Sequence, residues 1–399
     1  MGKHRILRLF AISLTTLLVT LAIWVFTTTR FVFLHHYEGL FLLRGSDGKR
    51  FQVQDDLFLG DGSRLIAGIA FDRLKNWLRE TGHQRDDTYL TWEWDKDDGE
   101  GYVIQHFPGG KQLLTHFSRY VDSQGEHTRG LFVGGALPDA AVEVNGMEPS
   151  NTGMAWYDGA NWYHLWCNTN EGISSPVSRT GSPPNQWEFL GSNVLIGSNN
   201  KLVIKSVHGI ALDQTRLHME RYAYFTAGNP YFSLGITLTN TGAHPVHFNY
   251  LYADEPWIGT FGTSAGDIGW VEGQLIAEEQ YIDPSRHFYA GMTDRGNPLI
   301  GEQGNFSGIA NFIAWAEGSR PDAIFFANQY FGIRHPAETR VPLHGDARSI
   351  GLEWKRALRP GETVKFFLRL GIAAVNPATG LPTVPPLRPF PDFRALGTR

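Results

Sequence analysis

From residue 88 onward the chain alternates apolar and polar positions with a period of two. Side chains of a β-strand point to opposite faces in turn, so this period predicts strands, and the Gly, Asn and Asp residues between the runs predict turns. The segment 88–107 has two such runs around an Asp-Asp-Gly turn, which indicates a hairpin. Because many short strands follow one another without helices between them, we predict a mainly β fold, a large antiparallel β-sandwich.

Residues 9–29 break this pattern with an apolar run that carries no formal charge, preceded by Lys3, Arg5 and Arg8. A helix of about 20 such residues spans the ~30 Å hydrocarbon core, and the basic residues hold the N-terminus in the cytoplasm. We expect a single-pass inner membrane protein with a periplasmic or extracellular body. A cleaved signal peptide is the main alternative, disfavoured because its apolar run is usually about 7–15 residues and no A-x-A-like site follows here. A buried core helix is a third reading.

The rest of the chain divides by composition. After a cytoplasmic tip and the anchor, residues 30–165 form a β-rich lobe that includes one amphipathic helix, predicted over 63–81 from the spacing of its apolar positions. The β-sandwich domain is predicted over 166–375. The tail, 376–399, is rich in proline and should be extended, as a strap or a spacer.

Charge and cysteine content exclude several classes of protein. The chain has 35 basic and 40 acidic side chains and a formal charge of −5, so it lacks the basic excess with which proteins bind nucleic acid. The single Cys167 excludes an internal disulfide and is best explained as a small apolar filler of a strand. The phosphate-binding, dinucleotide-binding, esterase and zinc-protease motifs are missing, so we expect no cofactor and no metal.

Two strands carry tyrosine-rich faces, and a mixture of polar and aromatic side chains suits stacking on a sugar ring and hydrogen bonding to its hydroxyls. In the strand 217–225 one face is apolar, with Arg221 among its residues. The other face of that strand consists of His218, Glu220, Tyr222 and Tyr224. In the next such strand Tyr250 and Tyr252 share a face. These tyrosines either line a ligand cleft or pack across neighbouring strands.

Carboxylates near these faces are candidates for acid–base chemistry. Asp254 and Glu255 end the second strand, just before Trp257, another ring suited to a sugar. Glycosidases need two carboxyls about 5–10 Å apart, commonly from different strands, so Glu220 with Asp254 or Glu255 is the natural pair. His208, at a strand end, could supply a general acid or base, or be a satisfied structural histidine.

A hairpin around residues 158–161 carries a second aromatic cluster. Trp162, His164 and Trp166 fall on one face of its second strand. Large rings in this pattern can form a platform for a glycan. They can equally form an internal contact between two packed parts of the body, and the pattern favours that contact.

The strands LHMERYAYF, YFSLGITLTNTG and HPVHFNYLYADEPW, with the late LRPGETVKFFLRLGIA, resemble the galactose mutarotase-like supersandwich superfamily over about residues 201–374. The resemblance implies a large sandwich of antiparallel sheets with a carbohydrate-binding cleft on one face. Members include epimerases, accessory domains of glycosidases and lyases, and periplasmic glucan-synthesis proteins. Mutarotases proper use a His and a Glu, and the resemblance sets His208 and Glu255 against them.

These observations leave two hypotheses of different classes. The first is a membrane-anchored carbohydrate-binding or carbohydrate-active protein of the bacterial envelope whose partner is a glycan or surface polysaccharide; as an enzyme it would be a glycoside hydrolase, a lyase or an epimerase. The second is a non-catalytic structural or interaction subunit of an envelope complex, with a protein partner. Convergence of the carboxylates and tyrosines in one concave cleft favours the first hypothesis, and burial of the tyrosines in the interior favours the second.

Overall fold

The computed structural model describes residues 88–117, 131–133, 153–167, 169–256, 258–259, 267–295, 308–328, 343 and 348–392, and the backbone of 29–33, 40–44, 50–53, 118–121 and 127–130. The predicted helix 63–81, Trp257 and all of the predicted anchor except Thr29 lie outside these residues. In the described part of the chain no helix is long and apolar enough to cross a membrane.

The described strands form four antiparallel sheets. A three-stranded sheet contains β1 (Thr29–Phe33), β2 (Leu40–Arg44) and β3 (Arg50–Val53). The N-terminal sheet contains β4 (Tyr89–Asp95), β5 (Glu100–His106), β6 (Gln112–Val121), β7 (His127–Val133), β8 (Met154–Tyr157) and β9 (Trp162–Trp166). The small sheet contains β10 (Thr169–Ser174), β11 (Gly181–Ser182), β16 (Val246–Asp254), β19 (Gln280–Ile282), β22 (Ala323–Ala327) and β23 (Ser349–Leu358).

The large sheet has ten strands. They are β12 (Glu188–Gly197), β13 (Lys201–Leu212), β14 (Thr215–Thr226), β15 (Tyr231–Asn240), β17 (Ile268–Val271), β18 (Gln274–Ile276), β20 (Tyr289–Thr293), β21 (Ile309–Trp315), β24 (Thr363–Val375) and β25 (Pro382–Thr383). Helical structure among the described residues is confined to single 3₁₀ turns at Pro108–Gly110, Pro184–Gln186, Pro284–Arg286 and Glu317–Ser319. The predictions of a mainly β chain and of the hairpin in 88–107, which is β4–β5, are confirmed.

The inner face of the large sheet packs on the small sheet, as period-two alternation requires. In β15 the apolar side chains Phe232, Leu234, Ile236 and Leu238 are all buried in one core. Between the sheets, the ring of Tyr250 in β16 stacks on Phe366 in β24 with centroids 5.1 Å apart. The two sheets therefore form a sandwich, with its hydrophobic core between them.

The N-terminal sheet covers another part of the same inner face. Phe117 in β6 contacts the rings of Phe225 and Phe232 in the large sheet, with centroids 5.9 and 5.5 Å apart. The indole Nε1 of Trp94 donates to Ser192 Oγ in β12 at 3.1 Å. A single cluster of buried apolar residues runs through all three sheets. The division into lobes at residues 165–166 stays a prediction.

The proline-rich tail lies on the outer face of the large sheet. β25 pairs with the end of β24, and residues 384–390, which we call the strap, continue along that strand without forming another. Val384 and Leu387 pack against a buried cluster that includes Tyr231 and Phe312. The strap therefore covers the part of the outer face around β24 and leaves β13 and β14 uncovered by it.

Candidate functional site

The polar face predicted for the strand 217–225 lies on the outer side of the large sheet, on β14. The pairing of β13 with β14 sets Lys205 opposite Tyr222 and Val203 opposite Tyr224. Residues directly opposite in an antiparallel pair share a face. We call this patch the Glu220 face; it consists of Lys201, Val203, Lys205, His218, Glu220, Tyr222, Tyr224 and Phe367.

Three polar side chains meet at the carboxylate of Glu220. Lys205 Nζ donates to Glu220 Oε1 at 2.5 Å, and the Tyr222 hydroxyl donates to Oε2 at 2.9 Å. His218 Nε2 lies 3.9 Å from Oε1. The side chains of Lys205 and Glu220 are 23% and 27% exposed and that of His218 is 37% exposed, so solvent reaches all three.

These contacts set the charges of the group. Burial raises the pKa of Glu220, but the hydrogen bonds from Lys205 and Tyr222 outweigh it, so the pKa is lowered and the carboxylate is ionised at neutral pH. Burial lowers the pKa of Lys205, but the hydrogen bond to Glu220 outweighs it, so its pKa is raised. Burial and the hydrogen bond to Glu220 raise the pKa of Tyr222, which remains a donor. The group therefore presents an ammonium, a carboxylate and a hydroxyl in fixed positions.

Apolar and aromatic side chains form the floor beside this group. Val203 and Tyr222 are buried, and Ile196, Tyr224 and Phe367 pack on them. Ammonium groups lie over two of the rings: Lys205 Nζ is 5.3 Å from the centroid of Tyr222, and Lys201 Nζ is 4.9 Å from that of Tyr224. An apolar floor with a few placed polar groups is the usual composition of a small-molecule site.

The strap forms one border of the Glu220 face. Phe390 lies 6.3 Å from Phe367, centroid to centroid, and the guanidinium of Arg369 lies 3.5 Å from the centre of the Phe390 ring. Arg369 also donates to the carbonyl oxygen of Arg388, whose backbone N–H donates to the Tyr231 hydroxyl at 2.9 Å. These bonds hold the strap against β24.

Asp254 and Glu255 lie elsewhere, at the end of β16 in the small sheet. Both are buried, and Asp254 Oδ1 accepts a hydrogen bond from the backbone N–H of Cys167 at 3.1 Å. Arg221, next to Glu220 on β14, reaches the small sheet, where it pairs with Glu171. Adjacent residues of a strand point to opposite faces, so Glu220 points away from the small sheet. The expected pairing of Glu220 with Asp254 or Glu255 is therefore not formed.

Tyr250 and Tyr252 do not line an open cleft either. Both are buried in the core between the two sheets. The ring of Tyr250 contacts those of Trp354 and Phe366, with centroids 5.5 and 5.1 Å away, and its hydroxyl donates to Glu171. Burial raises the pKa of both tyrosines. They share a face, as predicted, but it is the inner face.

The candidate histidine His208 also points inward. It is fully buried, with the rings of Phe132, Trp187 and Phe189 at 5.7, 6.1 and 5.7 Å from its own. Its neighbour across the strands is Met219, on the core side of β14. It is thus on the other side of the large sheet from Glu220 and cannot act with it on one substrate.

The aromatic cluster of β9 forms an internal contact and no open platform. Trp162, His164 and Trp166 are 8%, 0% and 1% exposed. Trp162 stacks on Tyr157 with centroids 5.2 Å apart, and the backbone of His164 pairs with that of Gly259. Burial lowers the pKa of His164 to about 4, so the imidazole is neutral.

Sequence reasoning missed a second group of buried acidic residues, Asp267 and Asp294. Asp267 precedes β17 and Asp294 follows β20, and the pairing of Ile268 with Thr293 places these two carboxylates opposite each other. Arg348 Nη1 donates to the carbonyl oxygen of Asp267. Burial raises the pKa of Asp267 well above its ordinary value. In the sequence, Asp267 and Asp294 can be recognised only as acidic residues that directly flank a strand. Only the pairing of the two strands brings them together.

Comparison with known proteins gives low similarities. No protein-family model and no curated protein matches the sequence. Among solved structures, a galactose mutarotase-like protein from Clostridium acetobutylicum aligns at 8% identity over 73% of this chain and 100% of that one, with a TM-score of 0.38. An aldose epimerase homologue from C. elegans aligns at 11% identity over 73% of this chain and 100% of that one, with a TM-score of 0.33.

A GH36 α-galactosidase from Geobacillus stearothermophilus aligns at 10% identity over 71% of this chain and 40% of that one, with a TM-score of 0.34. The galactose mutarotase-like proteins that the sequence resembles are thus among the structures found. Because the identities and TM-scores are low, the comparison assigns the chain to no family.

Proposed function

We propose that this chain is a glycan-binding protein and that the Glu220 face is its binding site. The observation that carries the proposal is the Lys205–Glu220–Tyr222 group on a floor of aromatic rings, in which Lys205 and Glu220 remain open to solvent. Sugars present hydroxyls that donate to a carboxylate and accept from an ammonium, and their C–H faces pack on rings. We propose binding and no hydrolysis, because the carboxylates that could have formed a catalytic pair lie on opposite sides of the large sheet.

The test is a thermal-shift screen of the full-length chain against neutral and acidic oligosaccharides, followed by titration of the hits. A ligand present at 100 times its dissociation constant stabilises the folded state by about 2.7 kcal/mol, which raises the melting temperature measurably. Glu220→Gln removes the charge and keeps the shape. Since a hydrogen bond to a charged group contributes about 1.5–3 kcal/mol, affinity should fall about tenfold or more.

Asp322→Asn is the matched control. Asp322 also accepts from a cation, Arg356 Nη1 at 2.8 Å, but it lies beside the small sheet. Tyr222→Phe, which removes the hydroxyl bonded to Glu220, should weaken binding, whereas Tyr281→Phe, at an exposed ring of β19, should not. Ligand affinity unchanged in both Glu220→Gln and Tyr222→Phe would refute the site.

The proposal extends to location: a membrane-anchored, extracytoplasmic protein of the bacterial envelope. It is supported by the apolar run 9–29, which carries no formal charge and follows the three basic residues Lys3, Arg5 and Arg8. Protease treatment of intact spheroplasts should digest the body, and digestion only after lysis would refute this orientation.

A second function is favoured by one observation. Tyr250 and Tyr252 are packed in the interior, as the hypothesis of a non-catalytic structural or interaction subunit requires. A flat glycan screen on folded protein, with a cross-linked partner in membranes, would support this alternative.

A further inference from the structure

The Glu220 face carries more basic than acidic groups, against the balance of the whole chain, which has a formal charge of −5. The strands in and around this face are β12–β15 and β24. They carry two carboxylates on the outer side, and both are already paired: Glu220 with Lys205, and Glu188 with Arg216. On these described strands the outer face offers no further carboxylate.

Three cations remain after this pairing. Lys201 Nζ lies over the ring of Tyr224, and no carboxylate of the described residues pairs with it. Lys365 is exposed and lies opposite Thr237, which is itself opposite Glu220. Arg369 is held by the strap. The strap itself adds Arg388, and Asp392, just after the strap, offsets that charge.

Lys201 and Lys365 lie at different distances and directions from Glu220. Strands lie about 4.8 Å apart, so Lys365, two strands from Glu220, is about 10 Å from it across the sheet. Lys201 is four residues from Lys205 on the same strand, about 13 Å at 3.3 Å per residue. The free ammonium groups therefore flank the Glu220 group on two sides, at separations that several linked sugar rings bridge.

We propose that the ligand is an acidic glycan, a chain of sugars that carry carboxylates. This rests on the proposed function of the Glu220 face. The carboxylates of the glycan pair with Lys201 and Lys365, while sugar hydroxyls bond to Glu220, which the Tyr222 hydroxyl holds in place. A neutral glycan would leave both ammonium groups without an anionic partner.

The experiment compares the full-length chain with oligogalacturonate and with its methyl ester, which has the same rings and linkages but no charge. The acid form should bind about tenfold more tightly at 50 mM salt. The difference should close at 500 mM, because ions screen pairs between exposed groups. Lys201→Gln and Lys365→Gln should each weaken binding of the acid form about two- to fivefold, as expected for exposed ion pairs, and reduce the preference for the acid form over the ester.

Lys355→Gln is the control, an exposed lysine on β23 in the small sheet. Equal affinity for acid and ester, with both lost in Glu220→Gln, would overturn the acidic-glycan inference and leave the proposed function standing. Binding of neither form, nor of alginate oligomers and neutral oligosaccharides, would overturn both. Equally tight binding of polyaspartate would show a site for polyanions in general and overturn the inference, as would binding that the lysine substitutions do not weaken.

Discussion

The ion pair between Arg221 and Glu171 is buried in the core between the two sheets, with 1% and 0% of the two side chains exposed. Arg221 also donates to the carbonyl oxygen of Leu131 at 2.6 Å and lies 4.0 Å from the ring centre of Phe132. Burial lowers the pKa of Arg221 to about 10, so the guanidinium is still charged at neutral pH. We predict that Arg221→Met strongly destabilises the fold, because it leaves the carboxylate of Glu171 buried without its cation.

The structure sets the magnitude of this effect. Breaking a surface ion pair lowers the free energy of unfolding by about 0–1 kcal/mol, whereas breaking a fully buried pair lowers it by about 3–5 kcal/mol. In urea, at an m-value of about 3 kcal/mol per molar, this lowers the unfolding midpoint by about 1–1.7 M. Tryptophan fluorescence of the full-length chain reports the transition.

Two further variants separate charge from packing. The double variant Arg221→Met with Glu171→Gln removes both charges and keeps an acceptor for the Tyr250 hydroxyl, so it should regain at least about 2 kcal/mol over the single variant. Arg356→Met breaks the exposed pair with Asp322 and should cost less than about 1 kcal/mol. This reasoning is wrong if the double variant loses as much stability as its two single changes lose in sum. It is also wrong if Arg221→Met loses as little stability as Arg356→Met.

Three shorter predictions concern other buried positions. Gly291→Ala should cost about 1–3 kcal/mol in thermal unfolding, because the new methyl overlaps the backbone carbonyl of Asn311; Gly318→Ala, where the added carbon meets nothing, should change little, and an equal effect would contradict the packing argument. Burial lowers the pKa of His164 to about 4 in the folded state, so the unfolded chain binds a proton at a higher pH than the folded chain does. The free energy of unfolding is therefore unaffected by this group above pH 6.5 and falls by about 3 kcal/mol in all as the pH drops toward 4. His164→Gln should flatten that part of the stability–pH curve, and an unchanged slope would refute this prediction. Burial, with Asp254 and Glu255 nearby, raises the pKa of the Cys167 thiol, so a thiol reagent should label it only in urea, and rapid labelling of native protein would be the contrary result.

Much of the local structure could be predicted from the sequence, because period-two alternation is a property of neighbouring residues. It predicted the hairpin β4–β5. It also separated the two faces of β14, with Arg221 on the apolar side and Glu220 on the polar side, as the structure has them. It likewise set Tyr250 and Tyr252 on one face of β16.

Alternation does not say which face of a strand is covered, because that depends on a second sheet about 10 Å away, built from distant parts of the chain. Tyrosine is compatible with a covered face and with an exposed one, because its ring packs in a core and its hydroxyl forms hydrogen bonds with water or with a buried partner. The polar face of β14 is on the open side, while the tyrosines of β16 and His208 are inside. The sequence by itself determined the strands and which side chains share a face; only the packing of the sheets decided that Glu220 is separated from Asp254 and Glu255, because burial and convergence are set by contacts between residues far apart in the chain.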